Sequence, residues 1–221
     1  MKFFFTFLLL MGTSISLTAQ CNKYYFLQAN KTIEMEMTNN RGKQTGKIIY
    51  VVSNTNSSGS SSVVNQTVTD AKGKTISSAT NKIKCSKGVM MMDIRSFMNT
   101  SSKQQQTVEV KGEDVYIEYP SSMKTGSSLP DGKASFNTVT GDMKGEMDLS
   151  IVNRKVTGKE SVTTPAGTWD CYKITYTIEI KTKVAGISIP MKFDATEWFA
   201  PDFGVVKTSG KFGDTQIISV K

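Results

Sequence analysis

The 221-residue sequence contains no histidine. That absence removes imidazole acid–base catalysis, the Ser/His/Asp and Cys/His nucleophile systems, and His-ligated zinc. Leucine is nearly missing too: beyond residue 19 it occurs only at Leu27, Leu129 and Leu149. The Leu-rich stripes of amphipathic helices are therefore absent. Beyond Phe3–Met11, no apolar run approaches the ~18 residues of a membrane helix. The three cysteines form no CxxC pair, and no histidine is present to lower a thiol pKa, so a catalytic thiol is not expected. Glycine (17) and proline (5) are too few for a collagen-like or linker-like chain.

What is present begins with an address. Met1–Ala19 reads as a secretory signal peptide, with Lys2 as its basic start and Phe3–Met11 as a short apolar stretch. Leu17-Thr18-Ala19 suits cleavage after Ala19, leaving residues 20–221 as a single β domain. The rival is lipidation at Cys21, which the intervening Gln20 disfavours. Periplasm, outer-membrane association or the cell surface is the expected location. Export permits disulfides. Cys21, Cys85 and Cys171 give one bridge and one spare thiol. Sequence does not choose the pair, but Cys21–Cys85 is favoured because it would tie down a terminus that otherwise frays.

The remaining inventory is that of a β protein. Beyond residue 19 there are 17 valines and 15 isoleucines, and serine plus threonine total 50 in the full chain. β-Branched side chains fit a pleated surface better than a helix. Tyr172, Ile174, Tyr176, Ile178 and Ile180 alternate with polar residues, as do Ile187, Ile189, Met191 and Phe193. Shorter alternations run through Ile33–Met37 and Met147–Ile151. Such period-2 patterning predicts antiparallel strands with one wet face.

Turn-forming stretches at 39–42, 70–73, 111–114 and 210–213 read as hairpin tips. Asn54–Ser62 reads as a long flexible hairpin loop, and Ser121–Lys133 as a second long loop separating two halves of one sheet. Asp93–Gln106 is the one plausible helix, and a short one. The fold expected is all-β: a large antiparallel meander of about ten to twelve strands, curled into a closed or partly open barrel that hides its edges.

Most chemical motifs dissolve on inspection. Gly126–Lys133 lacks the glycine and the Ser/Thr of a phosphate loop, which Asp131 and Ala134 replace. The SxxK and KTG patterns overlap within Ser121–Gly126, so neither can face the other across a site. Met90-Met91-Met92 cannot converge on one metal from a strand, and reads as core filler. Glu34/Glu36 and Glu146/Asp148 lie on polar strand faces, giving no glycosidase pair. The net charge of +8 comes from lysines spread along the chain rather than clustered with stacking aromatics, so nucleic acid is not an expected partner. No metal, cofactor or transmembrane segment is expected. Aromatics near turns remain, and Trp169, Tyr172, Trp198 and Phe199 are the candidate lining of a ligand cavity.

Three stretches carry a likeness: Cys21–Phe26, Thr163–Ile174 (TTPAGTWDCYKI) and Glu197–Lys207 (EWFAPDFGVVK). Together they resemble the TapB-like family, a domain-of-unknown-function family of exported bacterial proteins. The resemblance implies a barrel-like β fold in the cell envelope, no known reaction, and no catalytic residues. The expected function is non-enzymatic binding of an apolar or amphipathic ligand, or of an envelope protein, through a curved β surface. The alternative is a structural or adaptor component of a surface or secretion-linked assembly, without a cavity.

Overall fold

The computed structural model describes residues 21–98, 106–140, 143–184 and 186–221. The expected signal segment Met1–Ala19 lies outside the described residues. Among the described residues, thirteen strands form one antiparallel sheet. They are β1 (Thr32–Thr38), β2 (Gln44–Thr55), β3 (Ser61–Asp70), β4 (Thr75–Ser86), β5 (Val89–Asp93), β6 (Gln106–Val110), β7 (Tyr116–Pro120), β8 (Gly132–Thr140), β9 (Met143–Thr164), β10 (Gly167–Val184), β11 (Ile187–Ala200), β12 (Gly204–Gly210) and β13 (Gly213–Val220). Sheet order is β6-β8-β9-β10-β11-β12-β13-β1-β2-β3-β4-β5-β7, a meander joined end to end by β13 and β1 and broken at β6, which pairs with β8 and leaves β5 beside β7. The all-β antiparallel meander is as expected.

Where the helix was expected, Asp93 caps a single 3-10 turn, Ile94–Phe97, by accepting from the Arg95 amide at 2.9 Å. Residues 99–105 of that stretch lie outside the described residues, and β6 begins at Gln106.

The sheet closes on itself through the segment expected to divide it. β8 pairs with β9 only from Gly132↔Ile151 toward Thr140↔Met143. The segment before β8 fills the next stretch of β9: Gly126 N donates to Val156 O at 2.7 Å, Val156 N to Ser127 O at 2.9 Å, and Leu129 N to Arg154 O at 2.9 Å. Residues 121–131 therefore join the two ends of the sheet rather than separating its halves, and the barrel is nearly closed. At the seam opposite in the chain, β1 pairs with β13, with Thr32 and Lys221 exchanging hydrogen bonds of 3.0 and 2.9 Å.

Two more expectations are corrected. The Asn54–Ser62 loop is tight, because β2 runs to Thr55 and β3 starts at Ser61. Asn56 Oδ1 pins the turn by accepting from the amides of Ser60 and Ser61 at 2.8 and 3.0 Å. Residues 111–114 are not a hairpin tip: β6 pairs with β8 and β7 with β5, so this turn carries the chain across the barrel.

One barrel end is plugged by the N-terminal segment. Tyr24, Tyr25, Phe26 and Leu27 are all buried. Tyr25 N donates to Phe203 O at 3.1 Å and Tyr25 Oη to Val205 O at 2.7 Å. Gly204, at φ +132°, leaves room for the Tyr25 ring, since a Cβ there would lie 2.5 Å from its Cε1. The Cys21–Cys85 disulfide staples the plug to β4, the favoured pairing, and leaves Cys171 free and buried.

Candidate functional site

Under the plug lies a cavity of about 200 Å³ inside the barrel. The inward positions of successive strands build its wall, including Met35, Ile48, Val64, Ile83 and Met92. Tyr25 and Phe26 form the plug side. The hairpin tips after β1 and β12 surround the other end, where Phe193, Lys211, Phe212 and Asp214 line the cavity. The run Met90–Met92 resolves as alternation requires: Met90 and Met92 are buried, and Met91 between them is partly exposed.

The mouth is apolar beyond its own lining. Ile187, Ile189 and Met191 share the strand face of Phe193 by alternation, and are 66%, 61% and 39% exposed. β12 pairs with β11 only at Ala195–Ala200, so the β10–β11 hairpin runs past its neighbour. Phe212, 58% exposed, meets Phe193 edge-on at 5.1 Å. The alternation that predicts a core strand here instead makes an exposed apolar lip.

A polar cluster stands within this apolar space. Glu197 lines the cavity on β11, at the register of Ile174 and Thr208. Tyr119 Oη donates to Glu197 Oε2 at 3.0 Å. The Arg154 guanidinium is fully buried and comes within 3.9 Å of Glu197 Oε1. Nη1 donates to Pro130 O at 2.9 Å and Nη2 to Glu118 O at 3.0 Å, while Nε is buried without a partner among the described residues. Desolvation pushes the Glu197 carboxyl up to about 7, against the opposing pull of Arg154 and Tyr119. Burial, aided by the charge of Glu197, also raises the phenols of Tyr119 and Tyr176 well above their ordinary value.

Local backbone chemistry aims Arg154 inward. Asn153 has φ +57°, a left-handed conformation that asparagine tolerates better than most residues. The β9–β10 register shifts here, between Thr175↔Lys155 and Thr177↔Val152. Such a bulge re-aims a side chain, and it turns Arg154 into the barrel beside inward-facing Val152 and Val156.

A second polar pair, Gln66 and Asn81, also lines the cavity. Asn81 Nδ2 donates to Gln66 Oε1 at 3.0 Å. Asn81 Oδ1 and Glu197 Oε1 are buried without a hydrogen-bond partner among the described residues.

The four aromatics singled out in the sequence do not line this cavity. Trp198 sits half-buried opposite Lys173 and Lys207, whose ammonium groups lie 5.4 and 5.2 Å from its ring. Its indole N–H donates to Glu160 and helps hold that carboxylate below its usual range. Trp169 stacks on Phe203 at 4.7 Å. Phe199 is buried and stacks on Tyr119 at 4.9 Å, directly behind the Glu197 cluster. Tyr172 is buried with Lys159 4.8 Å from its ring. Extending the alternation of Ile187–Phe193 by four residues would have pointed Glu197 inward and Trp198 outward. Extending the alternation of Met147–Ile151 would have pointed Arg154 outward, because the bulge shifts parity there; its signal is the shorter alternation Val152, Arg154, Val156.

Burial pushes the Cys171 thiol up to about 12, away from nucleophilic use near neutrality. Among the described residues no three His, Cys, Asp or Glu side chains come together as a metal site. No helix among them is long and apolar enough to cross a membrane.

The comparisons agree on architecture. A protein from Bacteroides fragilis, described as exported and as having a YmcC-like fold, superposes with a TM-score of 0.68 at 22% identity, covering 88% of this chain and 96% of the other. A protein from Parabacteroides distasonis, described as a lipoprotein, gives 0.72 at 20% identity, covering 90% and 98%. Both likenesses concern the fold. No curated protein matches the chain significantly. The DUF3108-like family profile matches residues 28–213, from the plug to the last hairpin, and the chain belongs to that family.

Proposed function

We propose that this protein is a non-enzymatic cell-envelope protein that binds a single apolar or amphipathic small molecule inside its barrel. The observation that carries the reading is the roughly 200 Å³ cavity, plugged at one end and flanked by an apolar lip at the other. A cavity of about 150 Å³ suffices for a benzene-sized guest, so this one suits one aliphatic chain or one small ring system rather than a whole phospholipid. Each buried methylene contributes about 0.8 kcal/mol before association costs. The exported and lipoprotein descriptions of the two neighbours support an envelope location, as does the signal-like start of the sequence. Kinship with TapB-like proteins, suggested by the segments at 163–174 and 197–207, is part of the same proposal.

Fluorescence titration with N-phenyl-1-naphthylamine tests the reading. Saturable enhancement at one site per chain, competed by medium-chain alcohols, is expected; no enhancement at tens of micromolar protein would contradict it. A protein partner in the envelope is the second reading, favoured by the exposed strip Ile187, Ile189, Met191 and Phe212. It requires a stoichiometric partner in envelope pull-downs that an Ile189→Asp variant no longer recovers.

A further inference from the structure

Two side chains that line this cavity carry buried acceptors that no donor among the described residues satisfies. Glu197 is 2% exposed; its Oε2 takes the Tyr119 hydroxyl, and its Oε1 has only Arg154 Nη2 at 3.9 Å, beyond hydrogen-bonding distance. Asn81 is also 2% exposed; its amide nitrogen is spent on Gln66 and its Oδ1 has no donor among the described residues. A buried acceptor without a donor carries its full desolvation cost. Both residues line the same cavity, and the rest of the wall beside them is mainly apolar.

We propose, resting on the ligand-binding reading above, that the buried end of the ligand carries a neutral hydroxyl that donates to Glu197 Oε1 or Asn81 Oδ1, while its aliphatic body runs toward the lip at Phe193 and Phe212. The charge balance selects the neutral head. When Glu197 is ionised Arg154 offsets it, so an ammonium would then leave an unpaired cation in a buried site, and a carboxylate would set a second anion against two acceptors. The distance suits a short chain: Glu197 and Phe193 are four residues apart on one strand, ~13 Å at the usual strand rise. The donor group is the recognised feature, whether it belongs to a fatty alcohol or to the glycerol of a monoacyl lipid.

The test is isothermal titration of the delipidated mature protein with 1-octanol, methyl heptyl ether and octanoate. The first two have equal heavy-atom counts, but only the alcohol donates a hydrogen bond. Octanol is expected to bind about tenfold more tightly than the ether, as one recovered hydrogen bond allows, with octanoate the weakest. The Asn81→Leu variant should lose part of the alcohol preference, read as the ratio of octanol to ether affinity rather than as either affinity alone. Equal binding of alcohol and ether, or tightest binding of octanoate, would overturn the head-group assignment while leaving the cavity reading in place. Failure of all three to bind would overturn the cavity reading itself. Monooctanoylglycerol binding better than octanol would place the donor on a glycerol head.

Discussion

Glu197 is the residue whose environment most limits what the protein can do. Its carboxyl titrates near 7 in the folded chain, against an ordinary 4.5. Below about pH 4.5 both states hold the proton. Between 4.5 and 7 the folded state keeps a proton that the unfolded state loses, so stability falls as pH rises through that window. The loss is up to about 3 kcal/mol. Urea unfolding from pH 4.5 to 7.5 should show this slope, and Glu197→Gln should flatten it whatever its overall stability. Equal slopes in both proteins would mean that Glu197 is ionised throughout. Trp198 is the contrasting residue. It stands outside the cavity lining between two lysines, a cation–π arrangement worth about 0.5–1 kcal/mol each at exposed sites. Trp198→Ala should therefore cost a modest amount of stability and leave N-phenyl-1-naphthylamine binding unchanged. Parity along β11 makes both positions legible; reading the aromatics as cavity lining weighted residue type above alternation.

At the scale of elements, the plug and the seam decide whether a cavity exists at all. The Cys21–Cys85 bridge spans 64 residues, and closing a loop of that length stabilises by about 4 kcal/mol in the chain-entropy account. A Cys21→Ser/Cys85→Ser variant should melt roughly 10 °C lower. Its plug should also exchange backbone amides faster than the strands of the wall, which hydrogen–deuterium exchange by segment would reveal. A uniform increase across all segments would instead mean that the bridge acts on the whole barrel. The strands themselves were readable because Val, Ile and Thr alternate on a half-wet sheet. The seam was not. Residues 126–129 have no alternation, and their role comes from hydrogen bonds to a strand of higher number. The bulge at Asn153 was hidden for the same reason: a left-handed residue in a strand is visible only as an asparagine between Val152 and Arg154.

For the whole molecule, the proposed function rests on a plugged end, a polar cluster within the lumen and an apolar open lip. The sequence announced a barrel, because composition and patterning extend over many residues. The cavity was not announced, since it depends on which inward positions leave space and on the depth at which Glu197, Arg154 and Asn81 sit. Its occupancy is the central claim. Native mass spectrometry of the mature protein, purified from its own envelope, measures occupancy directly. The account predicts a discrete added mass that organic extraction removes. A Val64→Phe variant, which fills the lumen from a fully enclosed wall position at a cost of about 1–3 kcal/mol, should lose that mass while remaining folded. A bare mass for the wild-type protein, unchanged after incubation with medium-chain alcohols, would contradict it.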